Sequence, residues 1–199
     1  MPEPLTAHDY AAAAAALSCS VAAVRAIAEV ESGRFGGFLP DGRPVILYEP
    51  HVFHRLTGGR FAGRSVRIGE DVWQLSYPKW KTQPYGSTSI QHAKLDAAAK
   101  ISRADALQSC SWGRFQIMGF NWQACGFPSL QAFINAMYAG EREQLMAFVA
   151  FCKSRGLGTY LARKDWNRVA SIYNGPGQVK VYAPRLKAAH DRYAGEGAR

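Results

Sequence analysis

The sequence predicts a mainly α-helical α+β fold that forms a single domain. Its 199 residues fit one compact domain. Hydrophobic residues make up 48% and charged residues 20%, which is ordinary globular composition and excludes disorder for most of the chain. Helical periodicity covers most of the length, and strand-like runs lie near the N-terminal end. Because no linker or repeat divides the chain, we assign residues 1–194 to one domain and residues 195–199 to a frayed tail.

The N-terminal part is predicted to alternate helix and strand. Helical patterns cover three segments, the second capped by a serine and ended by a glycine: residues 9–17, 21–32 and 50–56. The strand-like runs at residues 38–40 and 45–48 flank Asp41-Gly42, a pattern typical of a β-hairpin. Pro40 and Pro44 favour edge strands or a looser loop at the same place.

The rest of the chain is predicted to be a long loop followed by helices. Periodicity fades over residues 60–89, where aromatic residues and lysines are interspersed, and long loops of this kind are often functional. A tight turn is expected at residues 111–113. The helical patterns that follow the loop cover five segments: residues 90–108, 130–138, 141–154, 166–173 and 181–193.

Charge and cysteine content restrict the function classes. The net charge of +9 indicates an anionic partner, which can be nucleic acid, a lipid surface or an acidic cell envelope. Residues 11–24 are too polar for a membrane span, and Glu3 and Asp9 lie where a signal peptide is positive. We therefore expect neither feature. Four cysteines without CxxC spacing are expected to be reduced, although pairing of some stays open: Cys19, Cys110, Cys125 and Cys152.

One carboxylate occupies a helix position where the pattern calls for an apolar residue. Glu31 shares the apolar stripe of the second helix with Ile27. Burial, and a place in the last helical turn, should raise its pKa and favour the protonated form. The alternative is a structural bond to a backbone amide or to Arg34. Glu29 lies about 200° around the helix axis from Glu31. A surface ion pair with Arg25 is a sufficient explanation for a glutamate at that position.

Three short blocks follow one another in a set order: Glu31-Ser32-Gly33, residues 111–118 (SWGRFQIM) and residues 172–177 (IYNGPG). In this order they resemble the goose-type lysozyme and lytic transglycosylase superfamily. A closer resemblance, over essentially the whole chain, is to the N-acetylmuramidase domain of bacteriophage endolysins, in which a segment like residues 28–33 precedes one like residues 47–53. This resemblance implies a lysozyme-like domain with a small sheet beside the catalytic helix. It also implies cleavage of the β-1,4 bond between N-acetylmuramic acid and N-acetylglucosamine in peptidoglycan.

The resemblance also implies roles for individual residues. Glu31 is the expected general acid. Residues from the second and third blocks are expected to bind the glycan, although packing, capping or backbone contacts explain them equally well: Ser111, Trp112, Gln116, Tyr173 and Asn174. Aromatic residues of the long loop offer flat faces to sugar rings, with ordinary packing as the alternative: Trp73, Trp80 and Tyr85.

Glycosidic cleavage also needs a second group opposite the acid. Glu49 is our candidate, with a helix N-terminal glutamate stabilised by the dipole as the alternative. Glu70 and Asp71 are expected to be solvated. A carboxyl separation of about 5–5.5 Å would indicate retention of configuration, and about 6.5–9.5 Å inversion. A single-glutamate transglycosylase, in which the muramyl 6-hydroxyl attacks, stays open as a further alternative.

Two other function classes fit the sequence less well. A basic nucleic-acid-binding domain would explain the charge, but the basic residues are dispersed and no known motif is present. A cysteine or metal peptidase would need paired Cys and His or an HExxH motif, and His51 and His54 offer neither. We therefore expect no cofactor and no metal. The expected enzyme is a monomer that does not bind nucleic acid or insert stably in a membrane, is made in the host cytoplasm, and acts on the wall after release.

Overall fold

The computed structural model describes residues 3–33, 36–80 and 82–196 and has the predicted mainly helical α+β architecture. Its helices are α1 (Ala7–Ala16), α2 (Val21–Ser32), α3 (Pro50–Leu56), α4 (Gln91–Gln108), α5 (Leu130–Ala139), α6 (Glu141–Ser154), α7 (Leu157–Ala162), α8 (Trp166–Tyr173) and α9 (Val179–Glu196). Its strands are β1 (Ile46–Tyr48), β2 (Ser65–Ile68), β3 (Asp71–Gln74), β4 (Cys110–Trp112) and β5 (Ile117–Met118). Single 3-10 turns lie at Thr88–Ile90, Gly119–Asn121 and Pro176–Gln178.

The first two helices begin and end where local sequence signals place them. Thr6 and Asp9 form a reciprocal capping box at the start of α1. Ser20 caps α2 by accepting a bond from a backbone amide, and Gly33 ends it with φ +57°. No single described helix is long and apolar enough to cross a membrane; α1 and α2 would qualify only as a pair, and the chain bends by 109° between them.

A three-stranded antiparallel sheet lies beside the helices, in the order β1-β4-β5. β1 pairs with β4, so that Ile46 lies opposite Trp112, while β4 and β5 form a hairpin. The hairpin expected at residues 38–48 is reduced to an isolated antiparallel bridge between Phe38 and Pro44, which is the looser loop that the two prolines favour. β1 takes its strand partner from about sixty residues further along the chain. The tight turn predicted at residues 111–113 is mostly strand β4.

The predicted long loop at residues 60–89 contains a second, two-stranded sheet. β2 pairs with β3 across Gly69 and Glu70, and Gly69 has φ +62°. The prediction missed this hairpin because its strands are largely exposed and show little burial contrast. It also missed α7. Gly195 and Glu196, assigned to the frayed tail, belong to α9, and residues 197–199 lie outside the described residues.

Aromatic side chains fill the core between the helices and the sheet. Trp112, Tyr48, Phe53, Phe115 and Phe148 are each at most 1% exposed. The rings of Phe115 and Phe148 stack with centroids 4.5 Å apart, which joins the β4–β5 hairpin to α6. This packing holds the hairpin turn beside the C-terminal end of α2, where Glu31 lies.

Candidate active site

Glu31 lies in the last turn of α2 with its carboxyl group mostly enclosed by protein. Its Oε1 accepts a hydrogen bond of 2.8 Å from Nδ2 of Asn174. Burial raises the pKa of Glu31 from 4.5 to about 7, against the opposing effect of the Asn174 bond. The predicted direction of the pKa is thus confirmed. The bonding partner is a side-chain amide, and Arg34, the alternative partner, lies outside the described residues.

Asn174 is brought to Glu31 by the C-terminal end of α8. Asp165 caps the start of this helix, and Trp166 and Val169 bury its apolar face as predicted. Asn174 is the C-cap residue, so the helix end aims its carboxamide at α2. Its Oδ1 is buried and has no hydrogen-bond donor among the described residues.

Tyr173 supports the site from inside the core. Its hydroxyl donates a hydrogen bond of 2.5 Å to the carbonyl oxygen of Phe115. Burial, and then the negative charge of Glu31, hold its pKa well above the usual range. Tyr173 therefore lies near Glu31 as a neutral phenol that joins α8 to the β4–β5 turn, and its predicted contact with glycan stays a prediction.

Glu49 lies at the N-terminal end of α3, but its side chain does not cap the helix. Its Oε2 accepts a hydrogen bond of 2.5 Å from the Tyr85 hydroxyl. The same oxygen lies 3.2 Å from Nδ1 of His51, a contact close enough for an ion pair but not aligned as a hydrogen bond. No lysine or arginine among the described residues pairs with Glu49. An interaction with the dipole of α3, the alternative given above for Glu49, does not explain why its side chain contacts Tyr85 and His51 and does not cap the helix.

Tyr182 lies on α9. Burial raises its pKa, and the charges of Glu31 and Glu49 raise it further against the opposing charge of Arg185. Sequence reasoning missed Tyr182. The only available signal was its place on the helix that follows the residue 172–177 block.

The second block proves to be mainly structural. The amide of Gln116 accepts a bond of 2.7 Å from Ser111 Oγ and donates one of 2.8 Å to the carbonyl oxygen of Gly113. Trp112 is 1% exposed, and its indole N–H donates to Leu107. This ring lies in the core because β4 is the central strand, and its predicted contact with glycan stays a prediction.

A network of polar side chains, formed by Glu141, Gln144 and Arg114 and called the bracket below, holds the segment that follows Glu31. Glu141 Oε1 accepts bonds from the Gly37 amide, at 2.6 Å, and from Arg114 Nη1, at 3.0 Å. Gln144 accepts a bond of 2.7 Å from the Arg114 amide and donates to Met137. This bracket ties residues 36–37 to the β4–β5 turn. Sequence reasoning missed it, since a glutamate at the start of a helix has an ordinary explanation in the dipole.

The aromatic residues of the long loop have different surroundings. Trp80 is 48% exposed. Trp73 is partly buried, with the ammonium of Lys94 4.1 Å from its ring centroid. Tyr85 contacts Glu49. Their predicted stacking on sugars stays a prediction.

The groups needed by the alternative chemistries are not assembled. No group of His, Cys, Asp and Glu suited to a metal ion is found in the part of the chain that the structure describes. All four cysteines are free thiols, and burial raises the pKa of Cys19 to about 11, which disfavours a reactive thiolate.

Glu29 pairs with Arg192 and Tyr193 of α9, so its predicted pair with Arg25 is wrong.

Comparisons with known proteins show which family the chain belongs to. A family model described as N-acetylmuramidase matches residues 20–194. The crystal structure of Burkholderia AP3 phage endolysin superposes with a TM-score of 0.81 at 41% sequence identity, covering 99% of this chain and 73% of that one. No curated protein matches the chain. The resemblance found in the sequence is confirmed.

Proposed function

Because the chain belongs to the N-acetylmuramidase family, we propose that it cleaves the β-1,4 bond between N-acetylmuramic acid and N-acetylglucosamine with Glu31 as the general acid. The chain is a glycoside hydrolase that acts on peptidoglycan. One observation carries the role of Glu31: its carboxyl group is enclosed at the end of α2 beside Asn174, and this burial raises its pKa to about 7. Near neutral pH it therefore retains a proton to donate to the leaving glycosidic oxygen.

The bond from Asn174 supports both stages of this proton transfer. Since Nδ2 donates to Oε1, the acidic proton of the neutral carboxyl group belongs on Oε2, the oxygen left to face the leaving group. After transfer the same N–H stabilises the new carboxylate, because a hydrogen bond to the charged form favours it. Asn174 thus orients the acid and then stabilises its conjugate base.

Glu49 is the second group in our proposal. Positive charge develops on the sugar ring as the glycosidic bond breaks, and a carboxylate opposite the acid stabilises that charge or activates water. Tyr85 and His51 both contact Oε2 of Glu49, while Oε1 accepts no hydrogen bond from any residue that the structure describes. The side chain is 14% exposed, so this oxygen is available to water or substrate.

The role of Glu31 is tested by Glu31→Gln, which keeps the shape and removes the proton donor. We expect turbidity clearing of outer-membrane-permeabilised cells to fall by about 10²–10⁴, with unchanged circular dichroism. Glu70→Gln is the matched control, since Glu70 lies exposed at the β2–β3 turn, and it should keep full activity. Activity retained by Glu31→Gln would disprove the assignment.

The second group is tested by Glu49→Gln together with product analysis. A loss close to that of Glu31→Gln supports two carboxylates, whereas a modest loss supports the single-glutamate mechanism. Mass spectrometry of digested peptidoglycan separates reducing muramic ends, expected here, from the anhydro ends that a transglycosylase forms. Free peptides in the digest would instead indicate an amidase or peptidase.

The cell wall is where the enzyme acts. We include in the proposal that it reaches the wall from the host cytoplasm as a monomer, without binding nucleic acid or inserting in a membrane. The net charge of +9 supports approach to an anionic envelope, and lysis should weaken as salt screens that attraction. Tight, salt-sensitive DNA binding by a protein inactive on walls would favour the nucleic-acid alternative instead.

A further inference from the structure

Tyr85 reaches Glu49 from the loop between β3 and α4, whose described residues form one 3-10 turn, Thr88–Ile90, after Tyr85. Its hydroxyl donates to Glu49 Oε2 over 2.5 Å. A loop residue is an uncertain support for a reacting group, because loops are more mobile than the elements they connect. The geometry is useful only if something rigid holds this loop.

α4 holds the loop through two side chains that are each 1% exposed, Lys94 and Gln91. The ammonium of Lys94 donates a hydrogen bond of 2.6 Å to the carbonyl oxygen of Tyr85. Nε2 of Gln91 donates to the same carbonyl, at 2.8 Å, and to the carbonyl oxygen of Ser87, at 3.0 Å. The backbone on both sides of residue 86 is therefore fixed to a helix.

Lys94 is an unusual residue for this purpose. A buried ammonium is costly unless it is paired, and no carboxylate among the described residues forms an ion pair with it. Its remaining support is the ring of Trp73, whose centroid lies 4.1 Å from Nζ. A packing role would be served by an apolar side chain at less cost, so the bond to Tyr85 is the feature that needs an amine donor.

The loop also packs too closely to move freely. Gly86 has φ +76°, and a Cβ there would lie 2.5 Å from Ile90 and 2.6 Å from Trp73. The glycine allows the backbone to lie against the Trp73 ring. Tyr85 is thus fixed at its carbonyl by α4 and on its C-terminal side by close packing.

We propose that Tyr85 is a positioning residue that fixes Oε2 of Glu49 and leaves Oε1 to the reaction, and that Lys94 anchors Tyr85 in that place. This inference rests on the proposed role of Glu49. The donor holds the Glu49 side chain in one rotamer, and a carboxylate so held can stabilise positive charge or accept a proton from water. Tyr85 itself does not touch the reacting atoms.

The test is Tyr85→Phe, which removes one hydroxyl and keeps the ring. We expect kcat to fall about tenfold, the loss typical of a hydrogen bond to a charged group, with KM on soluble glycan fragments nearly unchanged. Lys94→Met should also lower kcat, by a smaller factor. Tyr160→Phe, on α7, is the matched control and should change neither quantity.

A double-mutant comparison separates this proposal from that for Glu49. If Tyr85 acts through Glu49, Tyr85→Phe has no further effect in the Glu49→Gln background. An equal tenfold loss in both backgrounds overturns the positioning role, as does an unchanged kcat of Tyr85→Phe when Glu49→Gln is strongly impaired. Wild-type activity of Glu49→Gln would instead refute the role of Glu49 itself. Near-ultraviolet circular dichroism confirms that each variant is folded.

Discussion

The strongest quantitative prediction concerns the stability of Glu31→Gln. Glu31 is held in surroundings that favour its neutral form, so the folded protein is destabilised when that carboxyl group ionises. Glutamine has nearly the same shape and still offers an oxygen to Asn174, but it does not titrate. The variant should therefore lack the contribution of Glu31 to the pH dependence of the free energy of unfolding, while the contributions of all other titrating groups stay the same.

The magnitude follows from the two pKa values. Burial raises the pKa of Glu31 from 4.5 to about 7 in the folded state, and each pKa unit corresponds to about 1.4 kcal/mol. The upper bound is therefore about 3 kcal/mol. Because the side chain keeps some contact with solvent, which screens the charge, we expect about 1–3 kcal/mol.

The sign is fixed by proton linkage. Below pH 4.5 the carboxyl group is protonated in both states, so it adds no pH-dependent difference. Between pH 4.5 and about 7 the folded state binds more protons than the unfolded state, so the free energy of unfolding falls as pH rises. Above about pH 7 the full destabilisation is present, and Glu31→Gln should gain relative to the wild type.

The assay is denaturant unfolding of both proteins at about pH 4 and pH 8, bracketing the window set by the two pKa values. The buried amide of the new glutamine adds a constant cost, so the informative quantity is the change in the stability difference between the two pH values. Other titrating groups cancel in that comparison. Parallel pH dependence in the two proteins would refute the enclosed, partly protonated carboxyl group on which the mechanism depends.

Three further variants test other parts of the structure. Asn174→Ala removes a donor to the Glu31 carboxylate, so the alkaline limb of the pH–rate profile should move to higher pH; a shift to lower pH would contradict the assigned bond. Glu141→Gln leaves the charge of the partly buried Arg114 unpaired and should lower the free energy of unfolding in urea by about 3–5 kcal/mol. A change below about 0.5 kcal/mol, the level of ordinary surface substitutions, would show that the bracket contributes little to stability. Gly86→Ala forces a Cβ into contact and should lower the free energy of unfolding by about 1–3 kcal/mol, which thermal unfolding followed by tryptophan fluorescence measures.

The parts of the site that could be predicted from the sequence depend on local signals. Ser20 and Gly33 mark the two ends of α2, and the apolar stripe shows that Glu31 is out of place on it. Asn174 follows the apolar face of α8 at a glycine-rich stop. In each case the capping residues and the apolar positions lie within one or two helical turns of each other. The local sequence therefore predicts both the helix and the polar residue that departs from its apolar pattern.

The parts that could not be predicted depend on contacts between distant segments. β1 pairs with β4 instead of with the nearby residues 38–40, and nothing in either strand specifies that partner. Glu29 had an adequate local partner in Arg25, yet it bonds to α9 because the two helices pack side by side. The contact of Tyr85 with Glu49 likewise depends on how α4 holds the loop.

α2 shows how this fold gives one residue type two protonation states. Glu29 and Glu31 lie two positions apart on the same helix. The Tyr193 hydroxyl and the Arg192 guanidinium hold the pKa of Glu29 below its usual value, while burial raises that of Glu31. The ionised glutamate fastens α2 to α9, which stabilises the fold, and the neutral one costs stability whenever it ionises. The two faces of one helix thus separate the roles: Glu29 contacts α9 at the surface, while Glu31 is enclosed beside Asn174.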